Sequence, residues 1–213
     1  MKFADLRILF RKTEYFDFAT LLQLSGAPRE QVRVQIHRWT KTGKLLRLRK
    51  GLYAFAEPYQ RQPLSPPALA AVIYPPSYLS LQWALGFYGL IPERVVTLTS
   101  VTTRQTNAFQ NPLGNFAYRH VKPVLFTGYR KLAMGNEAVW MASPEKALLD
   151  FWYLETGAWT TARMREMRFQ NFKQIEREPL RQAATVFASK RIDSAVSLWL
   201  ELAEAEEQEG EEL

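Results

Sequence analysis

An α+β fold in two unlike parts is predicted by three features of the sequence. Residues 1–60 read as three short amphipathic stretches followed by two alternating runs around Gly51. A proline-rich segment, "AEPYQRQPLSPP" (56–67), then interrupts all periodicity, as linkers do. Beyond it, helix-period and strand-period segments are mixed. A length of 213 residues suits two small domains.

Taken in order, "FADLRILFRK" offers Phe3, Leu6, Ile8, Leu9 and Phe10 as the apolar side of a first helix. "DFATLLQLSG" opens on Asp17, a good N-cap, and stops at Gly26. "PREQVRVQIHRWTKTG" starts with Pro28 as a first helical residue and stops at Gly43. Val32, Ile36 and Trp39 fall at i, i+4 and i+7 and form its buried stripe. In "LLRLRKGLYAF" Leu46 and Leu48 share one strand face and Arg47 and Arg49 the other, with Gly51 permitting the turn. Helix, short turn, helix and hairpin outline a winged helix-turn-helix. The leucines of the wing are expected on the helices and its arginines outward.

After the linker, "SYLSLQWALGFYGLIP" reads as a helix from Ser80 to Gly89. "VVTLTSVTT" alternates Val96 and Leu98 with Thr97 and Thr99 as a strand; "NPLG" is a turn; Phe116, Tyr118 and His120 share one face of the next strand. An antiparallel sheet of about three strands or more is expected. "SPEKALLDFWYLETG" carries Ser143 as N-cap, Pro144 at the first helical position, Glu145 near the positive helix end and Gly157 as stop. The remainder has helical pattern, and residues 204–213 read as an acidic, disordered tail. The expected division is 1–60, 61–203 and 204–213.

Charge points to a partner. Net charge is +7, with 47% hydrophobic residues and no cysteine. Residues 1–60 hold 12 Lys/Arg against 5 Asp/Glu, a density that suits a polyanion. On the third helix His37, Arg38 and Lys41 point away from the apolar stripe, and Arg29 and Arg33 flank it. Lys44, Arg47, Arg49 and Lys50 follow in the hairpin. Guanidinium groups can read guanine edges and lysines can neutralise phosphates. The competing reading is a solvated basic face.

Absent cysteine excludes disulfides and thiolate chemistry and suits a reducing cytosol. "MKFADLRILFRKTEYFDF" has no leader-like apolar core, and no apolar run reaches the roughly 20 residues that span a bilayer. No phosphate-loop, dinucleotide or nucleophile-elbow motif occurs, and no metal-ligand spacing. Lys146 and Asp150, at i and i+4, are expected to pair on a helix surface. His120 in "YRHVKP" is expected to make a strand hydrogen bond. Catalysis, metal and cofactor are therefore not expected.

The segments "YLSLQWALGFYGLIPERVVTLTSVTTRQTNAFQNPLGNFAYRHVKP" and "MASPEKALLDFWYL", with "GKLLRLRKGLYAF" before them, resemble the AbiEi family of type IV antitoxins across residues 30–155. The resemblance implies a cytoplasmic DNA-binding repressor that autoregulates its operon through inverted repeats. It also implies a C-terminal domain that counteracts a nucleotidyltransferase-type toxin, directly or indirectly. Thr102, Thr103, Arg104, Tyr118, Arg119, His120 and Lys122 lie in the shared segments and are candidates for an antitoxin surface. Two other readings stay open: a nucleic-acid-processing enzyme targeted by a winged helix, and a module that binds an acidic protein.

Overall fold

The computed structural model describes residues 1–211. Helix α1 (Phe3–Leu9) starts where the Lys2 N–H donates to the Asp5 carboxylate, and buries Leu6 and then Phe10. Ile8 and Leu9, expected on its apolar side, are exposed. Strand β1 (Tyr15–Asp17), too short to show a period, leads into α2 (Phe18–Ser25). Asp17 caps α2, accepting the Thr20 N–H at 2.9 Å and the Thr20 hydroxyl at 2.6 Å. Gly26 ends the helix at a positive φ of 59°, where a Cβ would be strained. Helix α3 (Arg29–Lys41) starts one residue after the expected Pro28 and buries Val32 and Ile36. Strands β2 (Leu45–Arg49) and β3 (Leu52–Phe55) complete a three-stranded antiparallel sheet in the order β1-β3-β2. Leu6, Phe10, Phe16, Leu21, Val32, Ile36, Leu45 and Phe55 form one apolar cluster.

The hairpin departs from the sequence expectation. Leu46 and Leu48 do share a face, but it packs on a second cluster and not on the helices; Leu45 fills the helix side instead. A bulge between Arg47 and Arg49 breaks the alternation. Arg49 therefore does not project outward. Its guanidinium is half-buried and donates to the carbonyls of Ile73 and Lys50.

The proline-rich segment is anchored rather than loose. Glu57–Tyr59 form one 3-10 turn. Arg61 donates to Glu14 at 2.9 Å and to the Phe10 and Thr13 carbonyls at 3.1 and 3.0 Å. Pro66 and Pro67 are the first turn of α4 (Pro66–Ile73), capped by Ser65. Proline fits there because those amides lack intrahelical partners.

Next come β4 (Ser77–Leu79), α5 (Leu81–Phe87), β5 (Leu98–Thr102), β6 (Asn107–Asn111), β7 (Gly114–His120), β8 (Tyr129–Met134) and β9 (Glu137–Ala142). Their sheet is mixed, in the order β6-β7-β5-β4-β9-β8, with β5/β7 and β4/β9 parallel. The purely antiparallel expectation fails because the β6–β7 hairpin turns β7 inward beside β5. Such long-range pairing leaves no trace in local alternation. Val96, expected in β5, precedes it and is exposed.

Helix α6 (Pro144–Leu154) begins as expected, with the Ser143 hydroxyl accepting the Lys146 N–H at 3.2 Å. Helices α7 (Thr161–Glu166), α8 (Arg177–Thr185) and α9 (Lys190–Glu211) pack behind it. Arg191 donates to the carbonyls of Trp152, Tyr153, Glu155 and Gly157, satisfying acceptors that the end of α6 leaves free. The acidic stretch expected to be disordered is helical as far as Glu211, and Glu204 and Glu207 bind Arg177 at 3.1 and 2.7 Å. Residues 212 and 213 lie outside the described residues. The second apolar cluster spans α4 to α9 and also takes in Leu48, Leu52 and Ala54. A boundary at residue 60 therefore passes through a shared core.

Candidate nucleic-acid interface

Burying Val32 and Ile36 turns the opposite side of α3 to solvent. His37, Arg38 and Lys41 are exposed there, and Arg29 and Arg33 are exposed on its flank. Arg33 approaches Glu30 at 3.8 Å, but both are about three-quarters exposed, and such pairs contribute little. Arg33 thus keeps its donors available. The Arg29 guanidinium sits 5.4 Å above the Phe18 ring, at the start of α2.

The β2–β3 turn closes against that same point. The Phe18 N–H donates to the Gly51 carbonyl at 2.8 Å, and Gly51 has φ of 79°. A groove of about 580 Å³ opens between Phe18, Leu22, Arg29, Arg49 and Gly51. The fold thereby brings Arg29, Arg49 and the exposed Lys50 together at one end of α3. Arg47 is exposed along β2. Lys44 is half-buried, its ammonium 5.2 Å over Phe3, and sits apart from that group against α1. Beside the groove, burial opposes ionisation of Asp17, but hydrogen bonds from the Thr20 side chain and backbone outweigh it. The carboxyl is held below its usual range and stays charged as a cap.

One further residue of the exposed face is apolar. Val34 is 51% exposed. It lies four residues from Glu30 and Arg38 and three from His37, the neighbour spacings of a helix surface. A search for cationic side chains passes over it. Its position two residues off the buried stripe is the signal that marks it.

The candidates on the C-terminal sheet divide. Thr102 and Tyr118 are fully buried and do not belong to any surface. The Thr102 hydroxyl donates to the Pro76 carbonyl and the Tyr118 hydroxyl to the Ala70 carbonyl, each at 2.7 Å. Both sit on the inner strands β5 and β7, where one face is covered. Burial also pushes the Tyr118 phenol upward. Arg119 is half-buried, donating to the Leu154 carbonyl at 2.7 Å; Thr103 is half-buried too. Arg104, His120 and Lys122 are exposed. Arg104 lies 4.3 Å over Tyr74, and a His120 ring nitrogen meets the Arg104 carbonyl at 2.9 Å, the strand hydrogen bond expected for this histidine.

Lys146 and Asp150, expected on a helix surface, are 3% and 0% exposed. Nζ of Lys146 donates to Oδ1 of Asp150, while Tyr78 and Ser80 donate hydroxyls to Oδ2 at 2.9 and 2.8 Å. Burial lowers the Lys146 pKa and raises that of Asp150; each group's charge works against the other's shift. The spacing was right and the exposure wrong, because β4 and the loop before α5 cover this side of α6. The arrangement binds α6 to the sheet.

No cluster of metal-ligating side chains occurs among the described residues, and no described helix is long and apolar enough to cross a membrane. No curated protein matches the chain. A family does match, over the helices and hairpin of the N-terminal part and not over residues 57–155, where most of the resembling segments lie. That family is described as a transcriptional regulator, AbiEi antitoxin, and the part of this chain similar to it is residues 5–56.

Proposed function

We propose that the chain is a DNA-binding repressor and antitoxin, with α1 to β3 acting as a winged helix-turn-helix. In this reading α3 enters the major groove and the turn at Lys50–Gly51 is the wing. The supporting observation is the basic outer face of α3, meeting the hairpin turn at Arg29, on the segment that matches the regulator family. Exposed Arg33, Arg38 and Lys41 supply the donors that base edges and phosphates accept. Arg47 and Lys50 would meet phosphates, while Arg49 holds the wing in place from behind and Lys44 stays on α1.

The proposed DNA is an inverted-repeat operator of the chain's own operon. Residues 61–203 would carry the antitoxin role against a nucleotidyltransferase-type toxin, in the cytoplasm and without chemistry of its own. Arg104, His120 and Lys122 are the exposed members of the proposed antitoxin surface. The test is binding of the full chain to the duplex that precedes its gene. Retardation by the wild type, and about 1–3 kcal/mol weaker binding by Arg33→Ala or Arg38→Ala, is the expected result. Equal binding by all three proteins would refute the reading.

A further inference from the structure

Val34 is an apolar side chain in the middle of a charged surface. It is half exposed, while its neighbours along the chain, Val32 and Ile36, are buried. It therefore takes no part in the core. Neither does helix propensity account for it, since a β-branched residue is a middling helix former on a solvated face. Around it stand Glu30, His37, Arg38 and Lys41, all exposed. A stretch with polar side chains on every side, the carboxylate of Glu30 as acceptor and His37, Arg38 and Lys41 as donors, and one apolar contact at its centre fits a particular chemistry of the DNA major groove. There, hydrogen-bonding edges are interrupted by a single apolar group, the C5-methyl of a pyrimidine.

We infer that Val34 is a specificity-determining residue that reads a pyrimidine C5-methyl group in the operator. The inference rests on the proposed insertion of α3 into the major groove and deepens it. Its long neighbours reach edges and phosphates further out. The short valine contacts only what lies directly beneath the helix, so it reports on one base position. Thymine supplies the methyl in ordinary DNA, and 5-methylcytosine supplies the same group in modified DNA.

The experiment uses the full chain and duplexes it selects from a randomised pool. In the selected duplex each thymine is replaced singly by deoxyuridine, which removes the methyl and nothing else. In a second arm each cytosine is replaced singly by 5-methylcytosine. One position is expected at which the methyl strengthens wild-type binding about fourfold, the value of burying one such group. Val34→Ser, at an exposed position and checked for unchanged circular dichroism, should bind the methylated and unmethylated duplexes alike. A positive deoxyuridine arm assigns the contact to thymine; a positive second arm assigns it to 5-methylcytosine. Two results overturn the inference while leaving DNA binding intact. One is wild-type affinity indifferent to every methyl change. The other is a methyl effect that Val34→Ser retains. Failure to enrich any sequence would refute sequence-specific DNA binding itself, and this inference with it.

Discussion

Replacing Lys146 by methionine keeps the unbranched side chain up to its last atom and removes the charge. It leaves the Asp150 carboxylate fully buried, held only by the hydroxyls of Tyr78 and Ser80. Removing one member of a buried pair costs about 3–5 kcal/mol, because the remaining charge has lost both water and partner. For a chain whose total stability is of the order of 5–15 kcal/mol, that loss is large. Urea denaturation followed by circular dichroism measures it as a drop in midpoint at constant slope. Lys146→Met with Asp150→Asn should cost less than the two single changes added together, since no unpaired charge is left. Asp150→Asn alone carries a pH signature. Burial already lowers the Lys146 pKa, and Asp150 is the group that raises it back. Without that carboxylate the folded chain sheds the Lys146 proton at a pH where the unfolded chain, with its pKa of 10.5, still holds it. The unfolded state then binds more protons, so stability rises as pH climbs toward 10.5, more steeply than in the wild type. A Lys146→Met loss below about 1 kcal/mol would refute the reasoning, as would a variant Asp150→Asn whose stability falls across that range.

Two further outcomes follow from the bulged hairpin. Arg47→Ala should leave thermal stability unchanged and reduce the log–log salt slope of DNA binding by roughly 0.9. Arg49→Ala should lower the melting temperature, because the Ile73 carbonyl loses its donor; identical behaviour of the two variants in melting and salt titrations would contradict the assignment. A fragment of residues 1–60 uncovers Leu48 and Leu52, each worth about 1.5–3 kcal/mol of burial, and loses the Arg61 anchor. Poorly dispersed amide resonances are expected for it, and a spectrum as well dispersed as that of the full chain would show the N-terminal part to be independent.

Much of this fold was legible where structure is decided locally. Asp17 and Ser143 were readable as caps because capping depends on residues three apart. Gly26 was readable as a helix stop and Gly51 as a hairpin turn because positive φ selects glycine. The buried stripe of α3, and hence its outward basic face, followed from the 3.6-residue period. What escaped was set by partners distant in sequence. Strand β1 has too few residues to show a period, and its hydrogen bonds are to β3 some forty residues on. The prolines of α4 resemble a linker equally well. Arg49 turned inward because Ile73 waits there, and Lys146 is buried because Tyr78 and Ser80 lie across it. Thr102 and Tyr118 share their motifs with exposed neighbours, so only the parallel pairing of β5 with β7 separated core from surface.

The central claim, that the basic face of α3 and the hairpin turn grip duplex DNA, is tested most directly by the salt dependence of binding. The full chain is titrated against the duplex preceding its gene at a series of salt concentrations. Contacts to about five phosphates, drawn from the exposed cations of α3 and the hairpin, give a log–log slope near −4.5. A slope near zero between low and physiological salt would contradict it, because no phosphate-gripping surface can be indifferent to counterions.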